Sequence, residues 1–218
     1  MARKKASSPA RSGPLVLGLA SLKGGVGKTT SAVHLAGALA LEGLEVVLLD
    51  GDRIRTATAW ASREKLPFRV VSPTALARAG EYDALVIDSR GGADAGELLE
   101  VAQTADLLIL PSPADLSGLD GIGQTVELLS SGNIPPERYA ALLTRVRPGP
   151  RAEQARAGLA QLNVPTFETQ IRESVAFQDA INQGVLVKDI KDSRTAQTGW
   201  EDYRQVTAEA IKLSGWGA

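Results

Sequence analysis

The chain contains no cysteine, one histidine and few aromatic residues. The absence of cysteine excludes disulfides, thiolate metal sites and cysteine-ligated iron–sulfur clusters. The single histidine, His34, excludes a site with several histidine ligands, and its position in a predicted helix favours a packing or surface role. No apolar run approaches the roughly 18 residues of a membrane-spanning helix. No apolar segment of the signal-peptide type follows the basic N-terminus. These absences favour a cytoplasmic protein.

The bulk composition is that of a globular domain, with 44% hydrophobic and 22% charged residues in a chain of 218. Residues 1–13 differ, since they hold four basic and no acidic side chains among Ser, Ala, Pro and Gly. This composition predicts a flexible basic arm, which either contacts nucleic acid or only aids solubility. Residues 14–218 show no linker, and we predict one domain there.

Short β-like runs alternate with helical stretches, which predicts an α/β fold with a twisted, mostly parallel sheet and helices on both faces. The predicted strands are 15–20, 45–49, 68–71, 84–87, 107–110 and 139–144, with 165–167 as a candidate edge strand. The predicted helices are 31–42, 94–104, 117–131, 151–162, 173–183 and 194–213. The fifth predicted strand, 107–110, is expected to stop at Pro111 and Pro113.

Residues Leu22–Thr30 indicate a phosphate-binding loop between the first strand and the first helix. Glycines allow backbone N–H groups to converge on an anion, and the helix N-terminus adds partial positive charge. Lys28 is placed to neutralise the β- and γ-phosphates, and the Thr29 hydroxyl to ligate Mg²⁺. The residues predicted to contact the nucleotide in this stretch are Gly24, Gly25, Val26, Gly27, Lys28, Thr29 and Thr30.

A second lysine, Lys23, stands where the usual pattern has none, and Leu22 replaces its first glycine. The segment Lys23–Thr29 resembles the deviant Walker A motif of the ParA/MinD ATPases, a family of P-loop NTPases. The resemblance extends over most of residues 15–190 and is nearest to the small ParA class. It implies ATP and Mg²⁺ as cofactors, and a homodimer in which Lys23 reaches across the interface to the partner's nucleotide.

Three acidic residues, Asp50, Asp52 and Asp88, follow predicted strands, where ligands of open α/β sheets bind. Asp88 resembles a Walker B aspartate, which implies that it holds Mg²⁺ with Thr29. Asp50-Gly-Asp52 resembles the family's Asp-x-Asp-Pro-Gln segment. The resemblance implies that Asp52 orients or activates the attacking water and that Asp50 supports the Mg²⁺ shell. The Pro-Gln pair is replaced here by Arg53-Ile54.

The same family resemblance extends to the base and to DNA. Thr144-Arg145 stands where relatives often carry Asn-Lys or Asn-Arg against adenine, and a preference for ATP rests on the resemblance alone. Basic residues, several of them separated by Gly and Pro, suit contacts with DNA phosphates. The predicted DNA-binding residues are Arg145, Arg147, Arg151, Arg156, Arg172, Lys188, Lys191 and Arg194. Each could equally belong to a solvated charged face.

These expectations combine into a cytoplasmic, nucleoid-associated partition ATPase that binds DNA non-specifically, hydrolyses ATP slowly, and is stimulated by a ParB-like centromere-binding protein. One alternative is a MinD-like membrane positioner. It is disfavoured because the tail from Thr207 to Ala218 has one lysine, one glutamate and a Gly pair around Trp216. Further alternatives are a metabolic enzyme of the same superfamily and a regulatory ATPase that recruits other machinery.

Overall fold

The computed structural model describes residues 13–52, 54–73, 81–92 and 94–217. The predicted basic arm lies outside this part of the chain, except for Gly13. The strands are β1 (Leu15–Leu19), β2 (Val46–Asp50), β3 (Arg69–Val71), β4 (Ala84–Asp88), β5 (Leu107–Pro113) and β6 (Tyr139–Thr144). The helices are α1 (Lys28–Leu41), α2 (Thr56–Ala61), α3 (Ala95–Thr104), α4 (Leu116–Ser131), α5 (Arg151–Gln161), α6 (Val175–Gln183) and α7 (Arg194–Ser214).

The six strands form one parallel sheet in the order β3-β2-β4-β1-β5-β6. Alternate residues of β5 enter different cores: Leu107 and Ile109 pack on one face, whereas Leu108 and Leu110 pack on the other. Because side chains of a strand alternate in direction, this division shows that both faces are covered. The α/β prediction is therefore confirmed.

The two faces carry different helices. The core on one face includes side chains of α1, α2, α6 and α7, whereas that on the other includes side chains of α3, α4 and α5. Within the part of the chain that the structure describes, no helix is long and apolar enough to cross a membrane.

His34 of α1 lies in the first core, fully buried, and stacks on Tyr203 with ring centroids 4.8 Å apart. Its Nδ1 lies 2.7 Å from the Thr30 carbonyl, and its Nε2 accepts from the Val187 amide at 3.0 Å. Burial lowers the pKa of His34 to about 4, so the ring is neutral and donates through Nδ1. This geometry gives His34 the packing role predicted from the sequence.

β5 does not stop at Pro111 but continues through Pro113, which corrects the predicted boundary. β1 pairs with β5 only as far as Ile109, and beyond that point β5 pairs with β6 alone. Prolines are tolerated in this segment because one side of the strand has no ladder partner that needs an N–H donor. Segment 165–167 contributes one parallel bridge, between Ala141 and Thr166, and forms no strand.

Candidate nucleotide-binding site

The phosphate loop, Leu22–Gly27, connects β1 to α1 at the carboxyl edge of the sheet. Gly25 and Gly27 have φ angles of 74° and 91°, in the left-handed region that favours glycine. Gly27 is also the N-cap of α1, where no side chain caps the helix. The first N–H groups of this 14-residue helix are therefore left for an anion.

Lys28, in the first turn of α1, is only 6% exposed. Burial lowers the pKa of its ammonium, and the charges of Asp88 and Asp52 oppose that effect only in part. Its Nζ makes one long hydrogen bond, 3.4 Å, to the Lys23 carbonyl. A buried cation with so few acceptors is suited to a phosphate group.

Asp88 ends β4 with no exposed surface, and neither carboxylate oxygen has a hydrogen-bond partner of good geometry. Burial raises the pKa of Asp88 to about 7; the Thr29 hydroxyl and Lys28 act in the opposite direction. Two buried acceptors without donors beside a hydroxyl fit a hard divalent cation, so Thr29 and Asp88 are suited to hold Mg²⁺. No group of three or more His, Cys, Asp or Glu that could hold a metal ion is found among the described residues.

Asp50 is equally buried but is fully engaged by protein donors. Its Oδ2 accepts from the Thr58 amide at 2.8 Å and from the Thr58 hydroxyl at 2.6 Å. Its Oδ1 accepts from the Asp52 amide at 3.2 Å. These three hydrogen bonds fix the β2–α2 connection and leave Asp50 less available than Asp88 to bind a cation directly, so its role in the Mg²⁺ shell stays a prediction.

Asp52 lines a cleft of about 1070 Å³ at the carboxyl edge of the sheet, together with Lys28, Thr29 and Thr30. The loop after β4 forms another wall of the cleft. A Cβ placed on Gly91 would lie 3.7 Å from the Lys28 ammonium nitrogen and 3.8 Å from the Gly24 Cα. The phosphate loop, Asp52 and the loop after β4 thus enclose one polar end of the cleft.

The predicted base-binding pair, Thr144 and Arg145, lines the same cleft but contacts the phosphate loop itself. The Thr144 hydroxyl donates to the Val26 carbonyl at 2.8 Å, and Arg145 donates to the Gly25 carbonyl at 3.3 Å. Both side chains therefore hold the loop. The cleft continues past them along residues that sequence reasoning missed. These are Ile171, Glu173, Ser174, Val175, Phe177, Gln178, Ile181 and Tyr203.

Lys23 lies along α4 of its own chain. Its ammonium contacts the Ser117 carbonyl and donates to the Ser117 hydroxyl at 2.9 Å. A Cβ on Gly121 would lie 3.0 Å from both Cδ and Cε of Lys23, so the missing side chain there makes room for the lysine. No sequence signal connects Lys23 with α4.

Most of the predicted DNA-binding residues are engaged within the chain. Arg147 forms a two-fold contact with Glu173, which Arg145 also approaches at 3.8 Å. Arg172 forms a two-fold contact with Asp202. Arg156 donates to the carbonyls of Phe167 and Glu168, and Lys188 pairs with Asp189. The exposed side chains of Arg151, Lys191 and Arg194 have no ion pair or side-chain hydrogen bond among the described residues.

Comparison with known sequences places this site in context. A family described as the CobQ/CobB/MinD/ParA nucleotide binding domain matches residues 17–187. A maintenance of carboxysome distribution protein A from Gloeobacter kilaueensis is 35% identical over 213 residues, covering 92% of this chain and 96% of that protein. A protein ParA from Rhizobium radiobacter is 27% identical over 214 residues, covering 91% of this chain and 96% of that protein.

Solved structures agree with the fold. The MinD cell division protein of Aquifex aeolicus superposes with a TM-score of 0.71 at 20% identity, covering 89% of this chain and 97% of its own. An ATP complex of McdA from Cyanothece also gives 0.71, at 19% identity, covering 94% of this chain and 98% of its own.

Proposed function

The chain belongs to the CobQ/CobB/MinD/ParA nucleotide-binding family, and from that premise we propose that it is a Mg²⁺-dependent ATPase of the ParA type. ATP joins two copies of the chain, and the dimer binds DNA without sequence preference. Hydrolysis, slow until a partner protein accelerates it, returns the chain to the monomer. The observation that carries this proposal is that one loop places Lys28 inside the cleft and Lys23 outside it.

Inside the cleft, Lys28 and the N–H groups of the phosphate loop bind the β- and γ-phosphates. Thr29 and Asp88 hold Mg²⁺, which when bound neutralises charge that develops on the phosphates. Asp52, which lines the same cleft, orients the attacking water. No covalent intermediate is needed, because positioning and electrostatic stabilisation supply most of the catalysis of phosphoryl transfer.

Dimerisation is supported by the surroundings of the cleft. Ile54 and Val175 line the cleft yet are 81% and 79% exposed, and Leu116, beside the Ser117 that holds Lys23, is 81% exposed. Large exposed apolar side chains, at the cleft and beside Ser117, favour burial against another protein surface. A second copy of the chain would cover them and bring its own Lys23 to the nucleotide.

The Gly121→Ala substitution tests whether Lys23 must leave α4 for dimerisation. The added methyl group would push Lys23 away from Ser117. Less interaction energy within the chain is then lost when Lys23 moves to the partner subunit. Each copy loses one hydrogen bond worth about 1 kcal/mol, and the total of about 2 kcal/mol per dimer predicts half-maximal dimerisation at roughly 30-fold lower protein concentration with ATP. Analytical ultracentrifugation with ATP and with ADP measures this midpoint.

Gly123→Ala is the matched control, because it lies on the same helix and a Cβ there meets nothing within 4 Å. Both substitutions gain helix propensity, about 1 kcal/mol each, so that effect cancels in the comparison. Equal dimerisation of the two alanine variants contradicts the competition between Ser117 and the partner. The difference should also disappear when Lys23→Ala is added to both.

DNA binding by the dimer is the test of the whole proposal. We expect wild type to bind non-specific duplex DNA with ATP, not with ADP or without nucleotide, and Lys23→Ala to lose the ATP-dependent binding. Binding should weaken steeply with salt, since each phosphate contact adds about −0.9 to the slope of log K against log salt. Fluorescence anisotropy across a salt series measures both quantities.

Basic side chains without an internal partner are the best candidates for these contacts. The other basic side chains must first give up an ion pair or hydrogen bond to a carboxylate or carbonyl of this chain. A triple alanine variant removes Arg151, Lys191 and Arg194 and should lower the salt slope by about one per lost contact. A charge-matched control removes three other exposed basic residues, Lys65, Arg69 and Arg204. Identical losses in the two variants reject these residues as a defined contact set, and absent ATP-dependent binding in wild type rejects the DNA role.

The cargo in this proposal is DNA carried by a ParB-like centromere-binding partner. A second candidate is a carboxysome or a similar cellular body, favoured by the 35% identity to the carboxysome distribution protein. Deleting the gene and imaging both a DNA tag and cellular bodies separates the two: unequal inheritance of DNA supports the first cargo, and clustered bodies with normal DNA support the second.

A further inference from the structure

The connection between β2 and α2 holds Asp52 without the help of a proline. Residues 53 and 54 are Arg and Ile, so no ring presets the backbone after Asp52. The segment must therefore be fixed by hydrogen bonds. Those bonds converge on one buried carboxylate, that of Asp50, at the end of β2.

Thr58 supplies two of the donors to that carboxylate. Its amide and hydroxyl both reach Asp50 Oδ2, at 2.8 and 2.6 Å. The N-cap of α2, Arg55, has a φ of 57° and provides no side-chain cap. The Asp50 carboxylate thus takes the place of the missing N-cap side chain of α2 and connects β2 directly to that helix.

Asp52 is held from both sides of this connection. Its amide donates to Asp50 Oδ1 at 3.2 Å, its carbonyl accepts from the Arg55 amide at 3.1 Å, and its carboxylate accepts from the Ile54 amide at 3.1 Å. The position of Asp52 consequently depends on the orientation of the Asp50 carboxylate, which is set by Thr58.

α2 itself is fixed to the core. Ala57 and Trp60 are buried, and the Trp60 indole donates to the Val185 carbonyl at 3.0 Å. The Thr58 hydroxyl therefore connects Asp52, through Asp50, to a helix that is anchored in the core. Without that hydroxyl, the hydrogen bond from the Thr58 amide to Asp50 remains. The shortest of the hydrogen bonds that connect α2 with Asp52 is lost.

We propose that Thr58 is a positioning residue for ATP hydrolysis, which acts through Asp50 to hold the Asp52 carboxylate against the site of water attack. This inference rests on the role of Asp52 in the proposed function. Thr58 touches neither nucleotide nor water in this role, so nucleotide affinity is independent of it.

The Thr58→Val variant keeps the shape of the side chain and removes the hydroxyl. We expect hydrolysis at saturating ATP to fall about 10-fold, since small displacements of a catalytic group have effects of this order. The Kd for ATP should stay within about twofold of wild type, and Thr58→Ser should restore the rate to within about threefold. Thr58→Ala gives the same loss if the valine variant is unstable. Thr104→Val, on α3, is a matched control: Thr104 is exposed, and its hydroxyl donates to the Glu100 backbone carbonyl rather than to a carboxylate.

Hydrogen exchange of apo protein provides a readout independent of turnover. Amides of 51–58 should exchange at least about fivefold faster in Thr58→Val than in wild type, with the rest of the chain unchanged. Unchanged hydrolysis and exchange in Thr58→Val overturn the inference while Asp52→Asn still loses activity, which leaves the proposed function intact. Normal hydrolysis by Asp52→Asn overturns both.

Discussion

Lys28→Met is expected to weaken ATP binding by at least about 100-fold, equivalent to about 2.7 kcal/mol. Isothermal titration with ATP and with ADP, in the presence of Mg²⁺, measures the loss. Both nucleotides should be affected, since both carry the β-phosphate that Lys28 is positioned to neutralise. Removing one partner of a buried, hydrogen-bonded charge pair typically costs about 2–5 kcal/mol, which sets the scale of the effect.

The free protein should not lose stability with this substitution. Burial already lowers the pKa of Lys28, which means that the folded protein holds the charged form at a cost. Methionine has a similar length and no charge, so it removes that cost and one 3.4 Å hydrogen bond. The thermal midpoint without nucleotide should therefore equal or exceed that of wild type, whereas stabilisation by a fixed concentration of added ATP should be much smaller.

Lys23→Met separates this role from a general effect of positive charge in the loop. The two lysines lie five residues apart, but Lys23 points to Ser117, outside the cleft. We expect its loss to leave monomer affinity for ADP within about threefold of wild type. ATP affinity of Lys28→Met within threefold of wild type would contradict the assignment of the phosphate loop.

Much of the fold could be predicted because its signal is local. Buried parallel strands such as β1 and β4 are short apolar runs, and α1 follows its glycines directly. α2 was not predicted: its sequence, Thr-Ala-Thr-Ala-Trp-Ala, is short and carries two threonines, which are weak helix formers. Asp50 and the Trp60 anchor, rather than intrinsic propensity, hold that helix in place.

The candidate site likewise combines features that have a local sequence signal with features that depend on distant contacts. The phosphate loop is encoded in consecutive residues, and Asp88 is marked by the strand before it, so both could be proposed from the sequence. The contact of Lys23 with Ser117 spans 94 positions, and that of Thr144 with Val26 spans 118. Such contacts leave no trace in local pattern, because they depend on how separate elements pack.

The roles of Asp50 and Asp88 show why residue type alone is insufficient. Both aspartates end neighbouring strands and are paired in register, β2 against β4. One carboxylate accepts three hydrogen bonds and the other none of good geometry. The difference arises from α2, which donates to Asp50 and leaves Asp88 available to a cation.

Asp52→Asn is expected to slow ATP hydrolysis by about 100-fold while ATP binding and dimerisation persist. The amide keeps an oxygen for the Ile54 N–H, so the loop retains its hydrogen bond. The substitution removes the negative charge that orients and activates water. General acid–base groups typically contribute about 10²- to 10⁴-fold to the rate of an enzymatic reaction. Single-turnover hydrolysis measures the rate, and ultracentrifugation with ATP measures the accumulated dimer.

The trapped dimer is the sharper part of this prediction. If hydrolysis ends the DNA-bound state, Asp52→Asn should stay on duplex DNA with ATP at least about tenfold longer than wild type, because its turnover is slower. Asp83→Asn is the matched control, because Asp83 also accepts a backbone N–H, from Glu45 at 2.9 Å, but at the opposite end of the strands. Wild-type turnover in Asp52→Asn rejects the assignment of Asp52. Slow turnover with wild-type release from DNA places the end of the bound state at some step other than hydrolysis.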